Sequence, residues 1–136
     1  MVKIFKKTTI SKTKANDYQI VAKNFFGGAK VASEFEYWNA AGVLIVHSAI
    51  AYGDAVTIKF GSVKSKGENH QDLVNLIDSL VAQSEEKKKA LMQLSKILDH
   101  KNFVSYSGDI YERKDIDKLW KFLERFILWA ENMLNN

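Results

Sequence analysis

Apolar side chains recur along most of this chain at three- and four-residue intervals, the spacing of a helix with one buried face. Ala15, Tyr18, Val21, Ala22, Phe25, Phe26, Ala29 and Ala32 form the first stripe. Gly27-Gly28 interrupts it, but the register continues through Ala29 and Ala32, so the pattern predicts one helix of about 20 residues beginning near Thr13. From about Glu36 to Phe60 the chain is apolar nearly all round, as expected of a bundle's central helix, and Ala40, Ala41, Gly42, Ala49, Gly53 and Ala55 let neighbours approach closely. Gly61 and the polar stretch Ser62 to Gly67 end it. A shorter helix from about Asn69 turns Leu73, Leu76, Ile77, Leu80 and Val81 inward. Ser84 ahead of Glu85-Glu86 predicts an N-cap and a fourth helix with Leu91, Leu94 and Leu98 inside. Lys101 to Arg113 reads as a connecting loop anchored by aromatics. Asp115 then caps a last helix with Ile116, Leu119, Trp120, Leu123, Phe126, Ile127, Ala130 and Met133 on its apolar face. Residues 1 to 11 alternate loosely and predict an extended arm; no strand-and-turn series and no internal repeat follow. The expected fold is all-α: an antiparallel bundle of four long helices plus a short one, residues 13–136, preceded by a basic arm, residues 1–12.

Composition agrees with that picture. The 136 residues include no proline, where average usage gives about seven, and helices tolerate that absence best. There is no cysteine, so disulfides, thiolate nucleophiles and cysteine-ligated zinc are excluded. The formal charge of +4 is unevenly placed, because residues 1 to 30 hold seven lysines against Asp17 alone. The rest of the chain is slightly acidic. Lys3, Lys6, Lys7, Lys12 and Lys14 are therefore the residues expected to contact a polyanion such as RNA. Arg113 and Arg125 are the only arginines, which disfavours a protein that reads DNA sequence. No run of 18 uninterrupted apolar residues occurs; Trp38 to Ile50 is broken by Asn39, His47 and Ser48 and reads as a core helix, so no membrane partner is expected. The N-terminus lacks signal-peptide features, and a cytoplasmic location is the expectation. Trp120, Phe122, Phe126 and Trp129 give the last helix more apolar surface than one buried face needs, which predicts a homodimer.

Candidate chemistry is sparse. His47 and Asp54 are the polar residues of the central helix, sharing a face about 10 Å apart. Each is expected to be hydrogen-bonded in or near the core, the alternative being a ligand pocket lined by both. Ser48 points about 100° away from His47, which argues against a nucleophilic triad. His70 stands in the cap of the third helix, and the spacing of His47, His70 and His100 fits no metal motif. Tyr106, Asp109, Tyr111 and Arg113 gather in the last loop as anchors or ligand contacts. Lys87-Lys88-Lys89 is expected to be solvated helix surface. No cofactor motif is present: Gly27-Gly28 has neither phosphate-loop nor dinucleotide spacing.

The stretch YWNAAGVLIVHSAIAYGDAVTIKFG followed by ENHQDLVNLI, with His70, Asp72, Leu73 and Leu76-Ile77 at the helix start, resembles the HEPN superfamily. The tail from ILDHKNFVSYSGDIYERKDIDKLW to the end is similar to that family's loop and final amphipathic helix. The resemblance covers residues 13 to 134 and implies a helical bundle whose relatives are metal-independent RNases of toxin or defence systems, or nucleotide-associated and structural proteins. The nucleases carry an Arg followed by His after four to six residues. Here Arg113 is followed at those positions by Lys118, Leu119 and Trp120, and Arg125 by Ala130, Glu131 and Asn132. What the resemblance implies is therefore a non-catalytic member that binds a partner protein or a small nucleotide-like ligand. His47, Asp54, His70, His100, Tyr106, Tyr111 and Arg113 are the candidate contacts. An RNase with a rearranged site, built around His47, Asp54, His100 or Arg113, and RNA binding by the N-terminal lysines are the alternatives.

Overall fold

The computed structural model describes residues 7–67 and 69–136, so Lys3 and Lys6 lie outside the described residues, as does the side chain of His70. Helices dominate: α1 (Ala15–Glu34), α2 (Trp38–Gly61), α3 (His70–Leu80), α4 (Glu85–Leu98), α5 (Lys101–Ser105) and α6 (Arg113–Asn135). Gly27-Gly28 lies within α1, as its register predicts. Two departures from the expected pattern occur. Part of the predicted loop forms the five-residue α5. A strand pair, β1 (Lys7–Thr9) antiparallel to β2 (Val63–Ser65), ties the N-terminal arm to the segment after α2. Short polar strands such as KTT and VKS carry too little alternation to be read locally, and only their pairing defines them.

The helices are not all antiparallel to their neighbours. α1 and α2 reverse through a three-residue turn, and the Ser48 hydroxyl donates to the Ala22 carbonyl at 2.9 Å. Trp120 near the start of α6 donates to Ser33 near the end of α1, and Glu131 near the end of α6 accepts from Gln19 near the start of α1. α6 thus opposes α1 and runs parallel to α2. Gly53 faces Leu73 and Gly61 faces Leu80, so α3 also runs parallel to α2. That requires the chain after α2 to double back along it. The reversal is made at Ser62, whose φ of 54° and ψ of 34° are left-handed. Gly61, expected to be the breaker, is instead the last residue of α2, where a Cβ would come within 2.7 Å of Leu80 Cδ2.

α2 is the centre, in contact with α1, α3, α4, α5 and α6. By length and composition it could cross a membrane, but 78% of its most apolar window is buried inside the protein, as in a core helix. Trp120 meets Phe26 edge-on with ring centroids 5.1 Å apart, Phe122 lies under Lys96, and Phe126 and Trp129 are buried. All four aromatics of this helix thus make contacts within the chain, with Trp120 and Phe122 partly buried. Asp115 is not the N-cap of α6; Glu112 is, with the Asp115 carboxylate accepting from its backbone N–H at 2.8 Å in a capping box.

Two lysines close helix ends. Lys59 donates to the Met133, Leu134 and Asn136 carbonyls at the end of α6. Lys87, expected on the surface, is fully buried, and its ammonium reaches the Asp78 and Val81 carbonyls at 3.0 Å and the Asp78 carboxylate at 2.8 Å. It satisfies carbonyls that the end of α3 leaves unpaired, and meets the negative end of that helix's dipole. Lys88 on the next position is exposed. Lys87→Met should lower stability by about 2–3 kcal/mol in urea denaturation, because carbonyls and a carboxylate lose their partner, whereas Lys88→Met should change it by less than about 0.5 kcal/mol. Ser62→Gly should raise stability by roughly 0.5–1 kcal/mol in the same assay by removing the left-handed strain.

Candidate functional site

His47, Ile50 and Asp54 follow one another at three- and four-residue spacing and share a face of α2. What covers that face changes along its length. His47 is solvent-exposed, with its ring beside Phe25 at 5.7 Å between centroids. It is not the hydrogen-bonded core histidine expected. Partial desolvation, and then the charge of Lys101, hold its pKa below the ordinary histidine value. Asp54, two turns on, is 6% exposed because the doubled-back segment and α3 lie over it.

No side chain or backbone group among the described residues hydrogen-bonds the Asp54 carboxyl; only its main-chain carbonyl is engaged, by Thr57. The expectation that a core carboxyl would be satisfied by the protein is therefore not met. Asp54 lines a cavity of about 50 Å³ together with Ile50, Ser65, Gly67, Asn69, Leu73, Leu98 and Lys101. Burial raises its pKa to about 7, with nearby Lys64 opposing the rise. Gly67, Asn69, Leu98 and Lys101 also border an open groove of about 870 Å³ that continues past Asp99 and Asn102 to Phe103. A small enclosed cavity with a carboxyl inside thus opens onto a wider surface groove, with Lys101 common to both. Asn69 has a second duty, its side chain capping α3 through the Gln71 N–H at 2.9 Å.

The other sequence candidates are dispersed. His100 Nδ1 lies 2.6 Å from the Tyr111 hydroxyl, and His100 borders a depression lined also by Lys96, Asp99, Asp115, Lys118 and Phe122. Burial lowers the His100 pKa, with Asp99 and Asp115 opposing, and burial raises that of Tyr111. Tyr106 is 82% exposed. Arg113 pairs with Glu36 at 3.4 Å and stands over Trp38, at the protein surface. The loop residues therefore do not form one site. Asn39 organises the loop instead, donating to the Val104 and Asp109 carbonyls and accepting from the Tyr111 N–H. His70 begins α3. Among the lysines expected to meet a polyanion, Lys7, Lys12 and Lys14 are exposed, and Lys14 lies 3.6 Å from Asp17. Among the described residues no group of three or more His, Asp or Glu is placed to hold a metal ion.

Sequence reading missed Lys101 and Ser65, which belong to segments read as loops. It also missed a polar knot in which Glu131 accepts from the Tyr52 hydroxyl at 2.9 Å and from Gln19 at 2.5 Å, with Lys23 at 3.8 Å. Burial and the Glu131 charge raise the Tyr52 pKa. A faint signal existed in Tyr52, the one tyrosine within an apolar helix. No protein-family model, curated protein or solved structure matches this chain.

Because Asp54 holds its proton more tightly when folded than when unfolded, the folded protein binds extra protons between about pH 4 and pH 7. Its contribution makes stability fall as pH rises through that window and level off above it. Asp54→Asn should therefore stabilise the protein relative to wild type at pH 8 by about 3 kcal/mol more than at pH 4.5. Urea midpoints at the two pH values test this; an equal difference at both would exclude the raised pKa.

Proposed function

We propose that this chain is a non-catalytic, HEPN-like bundle protein that binds a small nucleotide-like ligand in the groove from Asp54 past Lys101 to Phe103. The carrying observation is the buried carboxyl of Asp54, without a protein hydrogen bond, at the closed end of that groove. Buried polar groups are usually hydrogen-bonded, so a carboxyl this covered and without a partner among the described residues favours an occupant that hydrogen-bonds it. Apolar walls, a convergent polar group and a cation at the mouth are the usual features of a small-molecule site. Lys101 supplies the charge suited to a phosphate, and Phe103, 52% exposed, offers a face to a ring. A role beside a toxin–antitoxin or defence partner follows from the resemblance to HEPN proteins.

The RNase reading has one observation in its favour, the close His100–Tyr111 pair, with His100 lining a depression shared with Lys96 and Lys118. Titration calorimetry with nucleoside monophosphates should give one-to-one binding that Lys101→Ala weakens about tenfold, about 1.4 kcal/mol. Absence of binding by every nucleoside monophosphate at millimolar concentration would reject the ligand reading. RNA cleavage lost on His100→Ala would establish the alternative.

A further inference from the structure

The cavity itself says what kind of head group reaches Asp54. Two of its polar groups have their oxygens engaged by the protein: Ser65 Oγ accepts from the Gly67 N–H at 3.1 Å, and Asn69 Oδ1 accepts from the Gln71 N–H. Those bonds use acceptor sites only, so the Ser65 hydroxyl and the Asn69 amide keep donors, whereas Asp54 is the lining carboxyl with no hydrogen bond from the described residues, beside Ile50, Leu73 and Leu98. The volume of about 50 Å³ corresponds to roughly three to five waters. Each such water needs two to four polar partners, and Ile50, Leu73 and Leu98 offer none on their side of the cavity. A flat ring or amide of similar size would lose less on entering, because its faces pack on the aliphatic side chains.

We infer that Asp54 recognises a neutral donor–acceptor edge, an N–H beside a ring nitrogen or carbonyl, as in an aminopyridine, an amide or a lactam. A carboxyl that keeps its proton presents one O–H donor and one C=O acceptor side by side, and such an edge closes a two-hydrogen-bond ring with it. An ammonium head fits less well. It would bring a strongly hydrated charge between apolar walls, and Lys64 and Lys101 already place positive charge around the carboxyl. The remainder of the ligand leaves along the groove past Lys101, whether the edge belongs to a free heterocycle or to the base of a nucleotide. This inference rests on the reading of the groove as a ligand site.

Methyl NMR titration of the whole chain, following Ile50 and Leu73, compares 2-aminopyridine with pyridine, which lacks the donor, and with methylammonium, which is only a cation. The first should bind at least tenfold more tightly than either of the others. Asp54→Asn, whose amide presents the same donor and acceptor, should retain binding within about threefold. Asp54→Leu, which removes both groups at similar volume, should lose at least tenfold. Preference for methylammonium, equal binding by Asp54→Leu, or no shift with any probe, meaning water alone occupies the cavity, would overturn the inference. Adenosine monophosphate and purine riboside monophosphate, which differ by one amino group, separate the sources. A tenfold preference for the former supports an edge read within a nucleotide. Equal binding of both, unaffected by Asp54→Leu, overturns the role of Asp54 while the groove reading stands. Binding of 2-aminopyridine with neither nucleotide bound supports a free heterocycle and rejects the nucleotide reading.

Discussion

The burial of α2 over most of its circumference is the constraint from which the rest of the molecule follows. A helix carrying Ile45, Val46, Ala49, Val56 and Ile58 at almost no exposure needs neighbours around most of its circumference. α1, α3, α4, α5 and α6 supply them. Small residues set how close they come: at Gly53 a Cβ would lie 2.9 Å from Leu73 Cδ2, and at Gly42 it would lie 3.1 Å from Val104 Cγ1. Those approaches leave little room for polar groups on α2, so each one present has a specific reason. Ser48 and Tyr52 reach partners on α1 and α6. Asp54 alone among them faces a cavity without a hydrogen bond from the described residues.

The direction of α3 makes that cavity. An antiparallel α3 would follow α2 through a tight turn and could close its face directly. A parallel α3 requires the chain to travel back along α2 first, and this return segment forms β2 and carries Ser65, Gly67 and Asn69 to the cavity rim. Ser62 makes the reversal in a left-handed conformation, and β1 then pins β2 from the other side. The start of α5 closes the opposite rim with Lys101. The site is thus built where the return segment and the start of α5 meet over one face of the core helix, a common arrangement of connecting segments on a rigid scaffold.

Electrostatics elsewhere is used to finish helices and not to build a charged surface. Lys59 and Lys87 both turn ammonium groups onto terminal carbonyls, on α6 and α3 respectively. The second is the more instructive. Three successive lysines are indistinguishable by residue type, but α4 rotates about 100° per residue, and the first of the three points toward the end of α3. The knot around Glu131 plays a similar organising part, joining α1, α2 and α6 through Gln19, Lys23 and Tyr52.

Helix existence was legible in the chain because apolar periodicity and caps are local: Ser84 accepts from Lys87 N–H, Asn69 from Gln71 N–H, and the inward leucines of α4 are buried, as their spacing implies. The apolar character of α2 on every side likewise announced a central helix. Helix direction, the β1–β2 pair and the fate of each polar residue depend on contacts between segments far apart in sequence, which periodicity does not encode. His47 and Asp54 show the difference within one helix. Seven residues apart, they necessarily share a face, yet one is open to solvent and the other largely covered, because only tertiary structure lays the return segment and α3 over the second. Sequence alone determined that a carboxylate would stand on the core helix; the fold decided that it would be buried, with its pKa raised to about 7, and turned toward a cavity.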